Sequence, residues 1–415
     1  MKENMILDKP MDLSFCAPCL FGLEGLCSDE LKRLDMADVR AENGRVLFTG
    51  GVAEIARANI NLRTGERVLL AVGETGAHSF DGLFEGVKAM QWERYIPIDG
   101  AFPVKGHSLG SKLHSIPDCQ KIIKKAVVER LKSKYKVEWL KETSAKYQIQ
   151  FAIMNDVAAL YIDTSGAGLH KRGYRPAGNA APLRETLAAA IVKLSRYRGR
   201  EPVCDPFCGS GTIAIEAALA ALNRAPGLGR LSAADQGYAA KQTSAPNHGY
   251  ATKQKPAASR ESASIHGFAA QQWSWVDGKI WKDAAEEAIG REYRGAYDIW
   301  GGDIDPKCIE IAAENARRAG VSEFVRFETA DAAGFRRETP GGLILTNPPY
   351  GERVMEHKEA EALYRRFGAA AGKLDGWKMY ILSSHTEFER AFGKTAAKKR
   401  KLYNGMIKCD LFMYY

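Results

Sequence analysis

Pro202-Val203-Cys204-Asp205-Pro206-Phe207-Cys208-Gly209-Ser210-Gly211-Thr212 is the stretch on which the fold of this chain turns. A short apolar strand, Val203-Cys204, runs into a glycine loop, and helical sequence follows from Thr212 to Leu222. A glycine loop at a strand–helix junction lets backbone come close to a ligand at the helix N-terminus. Only two glycines are present, so the loop is not the three-glycine dinucleotide fingerprint. No Lys-Ser/Thr pair follows, so it is not a phosphate-binding loop either. An acid ahead of the loop repels phosphates and suits a cationic or zwitterionic ligand. S-adenosylmethionine (SAM) has that character in its ammonium, carboxylate and sulfonium groups. A turn in an α/β domain that binds no nucleotide is the competing explanation.

Downstream, strands alternate with helices: Tyr297–Gly301, Pro306–Arg318, Val325–Glu328, Leu343–Thr346, Leu363–Ala371 and Lys378–Leu382. That alternation predicts a parallel α/β sheet. Asp303 stands at the end of one strand, where a carboxylate can accept both hydroxyls of a ribose. Asp305 lies behind it, before Pro306, where an N-cap role serves equally well. Asp331 follows the next strand and can accept from an adenine amino group or cap a turn. The strand Leu343–Thr346 leads into Asn347-Pro348-Pro349-Tyr350-Gly351. Two prolines fix the backbone and remove two donors. What remains is a rigid set of acceptors, the Asn347 side-chain oxygen and nearby carbonyls, with Tyr350 as a flat face that can stack on a base. Such acceptors suit an exocyclic amine, holding its nitrogen lone pair toward a methyl donor. Orientation then matters more than a strong base, and no His or Cys nucleophile is required.

The chain has 415 residues, 45% hydrophobic and 26% charged, with a net charge of +9. Length alone gives two to three domains at ~150 residues each. This balance excludes a disordered chain, a fibrous repeat and a small disulfide-stapled domain. No apolar run approaches the ~18 residues that a spanning helix needs. The N-terminus lacks the apolar core of a secretory signal, so the expected compartment is the cytoplasm. Cys16-x-x-Cys19 has zinc-like spacing but no second ligand pair, so no metal is expected. Residues 12–70 predict one small α+β unit. Residues 71–166 predict another, closing on two strands around the Asn155-Asp156 turn. The catalytic block covers 167–415. Within it, about residues 230–272 carry a repeat (Gln236–Gln242, His248–Gln254, His266–Gln272) whose copies start 12 and 18 residues apart. The copies have no apolar face to stack, which predicts an expanded surface loop.

The positive charge is concentrated. Lys105 to Lys146 holds eleven basic residues against four acids, among them Lys105, Lys112, Lys121, Lys124 and Lys125. Arg390 to Lys408 holds seven and no acid, among them Lys398, Lys399 and Arg400. Between Gln120 and Lys136 the apolar residues recur at helical spacing, which leaves a cationic ridge on the other face. A solvated helix face explains such a ridge; two clusters in one chain favour a nucleic-acid partner.

With these motifs in place, the chain resembles the class I SAM-dependent amino-methyltransferases that modify bases. Phe80-Asp-Gly-Leu-Phe-Glu-Gly-Val-Lys88, Phe102-Pro-Val-Lys-Gly106 and Ile116-Pro-Asp-Cys-Gln120 resemble a THUMP RNA-binding domain behind a ferredoxin-like one. Leu169-His-Lys-Arg-Gly-Tyr-Arg-Pro176 and Ala181-Pro-Leu-Arg-Glu-Thr-Leu-Ala188 are similar to the joining segment of the bacterial 23S rRNA guanine-N2 methyltransferase family. The resemblance runs from about Leu13 to Tyr415, the repeat-bearing loop excepted. It implies a Rossmann-like methyltransferase domain preceded by an α+β ferredoxin-like plus THUMP module. It implies SAM held by Asp205, Phe207, Gly209, Gly211, Asp303 and Asp331. Asn347, Pro348, Pro349 and Tyr350 would hold the guanine amine, and RNA would be the partner, with no membrane. A tRNA guanine, an N6-adenine target, and a non-catalytic RNA-binding assembly factor remain alternatives.

Overall fold

The computed structural model describes residues 12–175, 183–231, 267–350 and 357–415. Residues 176–182 of the joining segment, the first two repeat copies, His266 of the third and Gly351 lie outside the described residues. Among the described residues no helix is long and apolar enough to cross a membrane.

The N-terminal half is built on strands β1 (Leu13–Pro18), β2 (Ala37–Glu42), β3 (Arg45–Gly50), β4 (Leu69–Gly76), β5 (Val104–Leu109), β6 (Ile149–Met154) and β7 (Val157–Asp163). They form one sheet in the order β2-β3-β1-β4-β7-β6-β5. β4 pairs with β1 on one side and β7 on the other, so the two small units share a continuous sheet. Alternation along the strands sends Leu13, Phe15, Val46, Phe48, Leu70, Phe151 and Ile162 into one core. Helices α1 (Glu24–Arg33), α2 (Ala53–Asn61), α3 (Phe80–Ala89) and α4 (Ile116–Tyr135) supply the rest of this half. α4 carries Pro117 in its first turn and ends on Lys136 in the left-handed region. Its face of Cys119, Ile123, Ala126, Val127 and Leu131 is buried.

The second sheet contains β8 (Val203–Asp205), β9 (Ile299–Asp303), β10 (Arg326–Thr329), β11 (Gly342–Thr346), β12 (Trp377–Ser383), β13 (Lys398–Asn404) and β14 (Ile407–Tyr414). Its order is β10-β9-β8-β11-β12-β14-β13. β8 to β12 are parallel, but β14 runs antiparallel to β12 and β13 antiparallel to β14. The purely parallel sheet expected from the alternation is thus corrected to a mixed one. The C-terminal basic run is its edge strand. The chain fills one side of β8 first and then returns to place β11 on the other side. That makes the β8–β11 border a topological switch point, where loops leave the strands in opposite directions and open a cleft. Helices α5 (Glu185–Leu194), α6 (Thr212–Ala221), α8 (Pro306–Arg318), α9 (His357–Ala371) and α10 (Phe388–Phe392) accompany the sheet, whereas α7 (Lys279–Gly290) packs against α2 in the core of the N-terminal half.

The expected surface loop at 230–272 is also corrected at both ends. Arg230 is 1% exposed and donates to the Ser165 and Gly267 carbonyls. Phe268, from the third repeat copy, stacks on Trp281 of α7 at 5.1 Å, and Trp273 stacks on Tyr147 at 5.0 Å. These side chains belong to the core of the N-terminal half, so a segment of the catalytic block clamps the two halves together. The signal is four aromatic residues, Phe268, Trp273, Trp275 and Trp281, at irregular spacing that periodicity does not reveal. Replacing Trp273 by Ala removes that stack and the indole bond to the Lys146 carbonyl. A loss of about 3–5 kcal/mol is expected for a buried aromatic truncation, read as a lower urea midpoint.

Candidate functional site

Three loops leave the parallel strands at one edge of the second sheet. The first follows β8. Gly209 and Gly211 take φ of 50 and 79, a region glycine enters without strain. A Cβ on Gly211 would stand 2.8 Å from the Phe327 ring, so only glycine fits there. A Cβ on Gly209 would meet nothing within 4 Å: the loop backbone faces open space at that point. The Gly211 N-cap of α6 has no side-chain cap. Those first-turn amides can therefore receive an anionic group.

The second loop follows β9. The Asp303 carboxylate accepts from Gly209 N at 2.9 Å and from Asp305 N at 3.0 Å. It thus fixes the glycine loop from the neighbouring strand. Asp305 caps α8 through Lys307 N. Ala330 N donates to the Asp303 carbonyl at 2.9 Å, which brings Asp331 beside Asp303. The Asp331 carboxylate accepts from Ala333 N at 2.8 Å and so serves as a turn cap, with its other oxygen left over. Phe207 packs edge-on against Phe367 of α9 at 5.1 Å.

The third loop follows β11. Thr346 Oγ1 donates to Asp205 Oδ1 at 2.6 Å, across the switch point. Phe207 N donates to the same oxygen at 3.2 Å. Asp205 is 2% exposed, and burial pushes its carboxyl up to about 7 against the downward pull of those two donors. Asn347 follows Thr346 directly. Its Oδ1 accepts from the Tyr350 hydroxyl, and the Pro349 carbonyl accepts from the Tyr364 hydroxyl of α9. The Tyr350 ring is partly buried against the core that holds Val203 and Cys409, and its hydroxyl lies 3.9 Å from Cys409 Sγ. Burial, above all, raises that phenol well above its usual value.

The expected methyl-donor residues Asp205, Phe207, Gly209, Gly211, Asp303 and Asp331 thus share one edge with Asn347, Pro348, Pro349 and Tyr350. An acid, open glycine backbone and uncapped helix amides form a donor and acceptor set that fits a zwitterionic nucleoside such as SAM. Sequence reasoning missed four supports: Thr346 as a partner of Asp205, Tyr364, Cys409 and Asn315. Asn315 is 1% exposed and donates to the Ser210 carbonyl at 3.0 Å. A polar residue between Ala312 and Ala316, on the apolar stripe of α8, was the one local signal.

The basic residues do not form one surface. Lys121 and Lys125 are exposed on α4. Lys124 is not a free cation: its ammonium bonds both Glu142 oxygens, at 2.6 and 2.7 Å, and sits 3.5 Å from the Phe102 ring centre. Lys105 pairs with Gln150 on the sheet face away from α4, and exposed Lys112 lies in the loop before α4. Lys398 is exposed on β13, whereas Lys399 pairs with Glu389 at 2.6 Å and Arg400 donates to the Gly22 carbonyl.

Comparison with known proteins follows this geometry. Residues 172–412 match the family described as RMKL-like, methyltransferase domain. Residues 14–69 match the RlmL ferredoxin-like domain and 77–163 the THUMP domain. The chain is 40% identical to "Putative RNA methyltransferase YpsC" of Bacillus subtilis, over 95% of this chain and 94% of that protein. It is 31% identical to ribosomal RNA large subunit methyltransferase K/L of Psychromonas ingrahamii, over 97% of this chain and 50% of that enzyme. The chain therefore spans about half the length of the K/L enzyme. A Listeria monocytogenes structure described as a "predicted N6-adenine-specific DNA methylase" aligns with TM-score 0.85 at 40% identity, over 98% of this chain and 96% of that one. SMU.472, described as a "putative methyltransferase complexed with SAH", aligns at 0.84 and 36%, over 98% of each chain.

The raised Asp205 carboxyl gives a pH signature. Its contribution to stability is complete below the ordinary aspartate value of 3.8 and is lost as pH rises through about 7. Asp205→Asn should flatten that fall in urea midpoint across the same interval. An unchanged slope would show that Asp205 does not titrate there.

Proposed function

The chain belongs to the RMKL-like methyltransferase family, and from that premise we propose that it transfers a methyl group from SAM to the exocyclic N2 amine of a guanosine in 23S ribosomal RNA. The observation that carries this reading is the Thr346–Asp205 hydrogen bond. It joins the glycine loop to the acceptor array of Asn347 to Tyr350. The two halves of a methyl transfer, donor site and amine site, then face one cleft at a fixed separation.

Bound SAM supplies an electrophilic methyl group. Asp205 would hold the ammonium side of the ligand, the α6 amides its carboxylate, Asp303 the ribose and Asp331 the adenine. The Asn347 oxygen and the carbonyls of Pro348 and Pro349 accept from the target NH₂ and aim its lone pair. Asn347 Oδ1 keeps a second lone pair for the target amine beside the bond from the Tyr350 hydroxyl, which fixes the direction of that oxygen. A base inside a duplex cannot reach this cleft, so the target is flipped or unpaired. The matched THUMP region favours RNA over DNA, and α4, with Lys121 and Lys125 exposed, supplies a docking ridge. The cytoplasm is the compartment this substrate requires.

A second reading, N6-methylation of adenine, has the description of the Listeria structure in its favour. Labelling total RNA with tritiated SAM, followed by nucleoside digestion and mass spectrometry, separates the two. Label in N2-methylguanosine from 23S RNA supports the first reading. Label in tRNA or in N6-methyladenosine replaces it, and no label favours an RNA-binding assembly factor. Asn347→Ala should keep SAM binding in calorimetry while turnover falls by roughly two orders of magnitude or more, as for a lost transition-state contact.

Lys121→Glu with Lys125→Glu should weaken RNA binding and flatten its salt dependence by about one unit per lost phosphate contact. Lys124→Glu should act on folding instead, through the lost Glu142 pair. Filter binding across a salt series, with thermal melts of each variant, checks both outcomes.

A further inference from the structure

The β13–β14 hairpin rises on the same edge as Asn347. β14 runs antiparallel to β12, and Ser383, the last residue of β12, stands opposite Asp410. The residues before Asp410 therefore continue past the ends of the parallel strands. At ~3.4 Å per residue, Met406 stands roughly 14 Å beyond them. The base of the hairpin is braced. Leu402 and Cys409 are buried, and Cys409 and Asn404 both reach the Tyr350 hydroxyl. Arg400 holds the Gly22 carbonyl of the N-terminal half.

The tip is bare by contrast. Gly405 takes φ 66, a Cβ there would meet nothing within 4 Å, and Met406 is 98% exposed. Below it, Tyr403 stands opposite Lys408, and Lys401 lies on the same face; all three are exposed. Asp410 is the acid on that face, one pair further from the tip, opposite Lys401.

A braced hairpin ending in one unbranched apolar side chain, with two cations and a phenol behind it, matches nucleic acid. Cations meet phosphates, the ring stacks on an unpaired base, and apolar wedges enter between base steps. We propose that the β13–β14 tip is the base-extruding element: Met406 enters the RNA stack where the target nucleotide leaves it, while Lys401, Tyr403 and Lys408 grip the adjoining strand. This rests on the reading of the protein as an RNA base methyltransferase. A chain of contacts from the hairpin through Tyr350 to Asn347 also joins the wedge to the amine site.

The test uses the full chain and the RNA segment labelled in the total-RNA assay, prepared as two duplexes. In one the target nucleotide is paired; in the other it faces an abasic site, where extrusion costs less. Met406→Gly should lose about tenfold or more in kcat/KM on the paired duplex and less than about threefold on the other, because unpairing costs a few kcal/mol. Met406→Leu, which restores an apolar wedge, should recover most of the loss. Equal losses on both duplexes, or none on the paired one, overturn the wedge while leaving the methyltransferase reading standing. A wild-type protein inert toward every RNA overturns that reading, and the wedge with it.

Discussion

The hydrogen bond from Thr346 to the buried carboxyl of Asp205 sets the geometry of the whole site. It crosses the border at which strand order reverses, the one place in this sheet where neighbouring loops diverge. Burying a carboxyl is unfavourable unless donors surround it. Here a hydroxyl and a backbone amide do so, while burial still pushes the carboxyl up to about 7. The glycine loop and the Asn-Pro-Pro-Tyr turn are thereby parts of one rigid edge. Asp303 and Asn315 hold the glycine loop from β9 and α8, and Tyr364 holds the proline turn from α9.

The same rigidity extends to the RNA-facing half. The first sheet has no break at β4, so α4 cannot move independently of the ferredoxin-like unit. Phe268, Trp273 and Trp281 lodge in its core although they come from the catalytic block. Between the halves lies a buried ion pair, Arg172 with Glu216 at 3.3 Å, both almost fully enclosed. Arg172 also donates to the Leu169 carbonyl at 2.7 Å, which satisfies part of its guanidinium. A buried pair of this kind contributes little net stability, but removing one partner strands the other charge. The spacing between the α4 ridge and the strand ends of the second sheet is therefore a property of the fold, not of a linker.

Much of this is legible in the sequence. Its patterns give β8 to β12, the helices α5, α6, α8 and most of α9, though not α7 or α10, and also the α4 ridge and the turn at Asn155-Asp156. Both those residues take positive φ, as a tight hairpin demands. The terminal hairpin was not legible, because a run of lysines masks the alternation of Arg400, Leu402 and Asn404 with Lys399, Lys401 and Tyr403. The docked end of the inserted segment was hidden by its polar composition. Lys124 shows the limit most clearly. Its neighbours Lys121 and Lys125 stay exposed, and only the approach of Glu142, eighteen residues on, turns it into a structural pin.

By itself the sequence determined the fold family, the strand ends that carry acids and the turn that carries acceptors, because each depends on local spacing and backbone restriction. The tertiary structure alone decided which residues meet: Thr346 with Asp205, and Tyr350 with Asn347 and Cys409. Those contacts join positions 59 to 141 residues apart, or a turn folded back on itself. Packing of a mixed sheet, not the order of residues along the chain, brings them within hydrogen-bond reach.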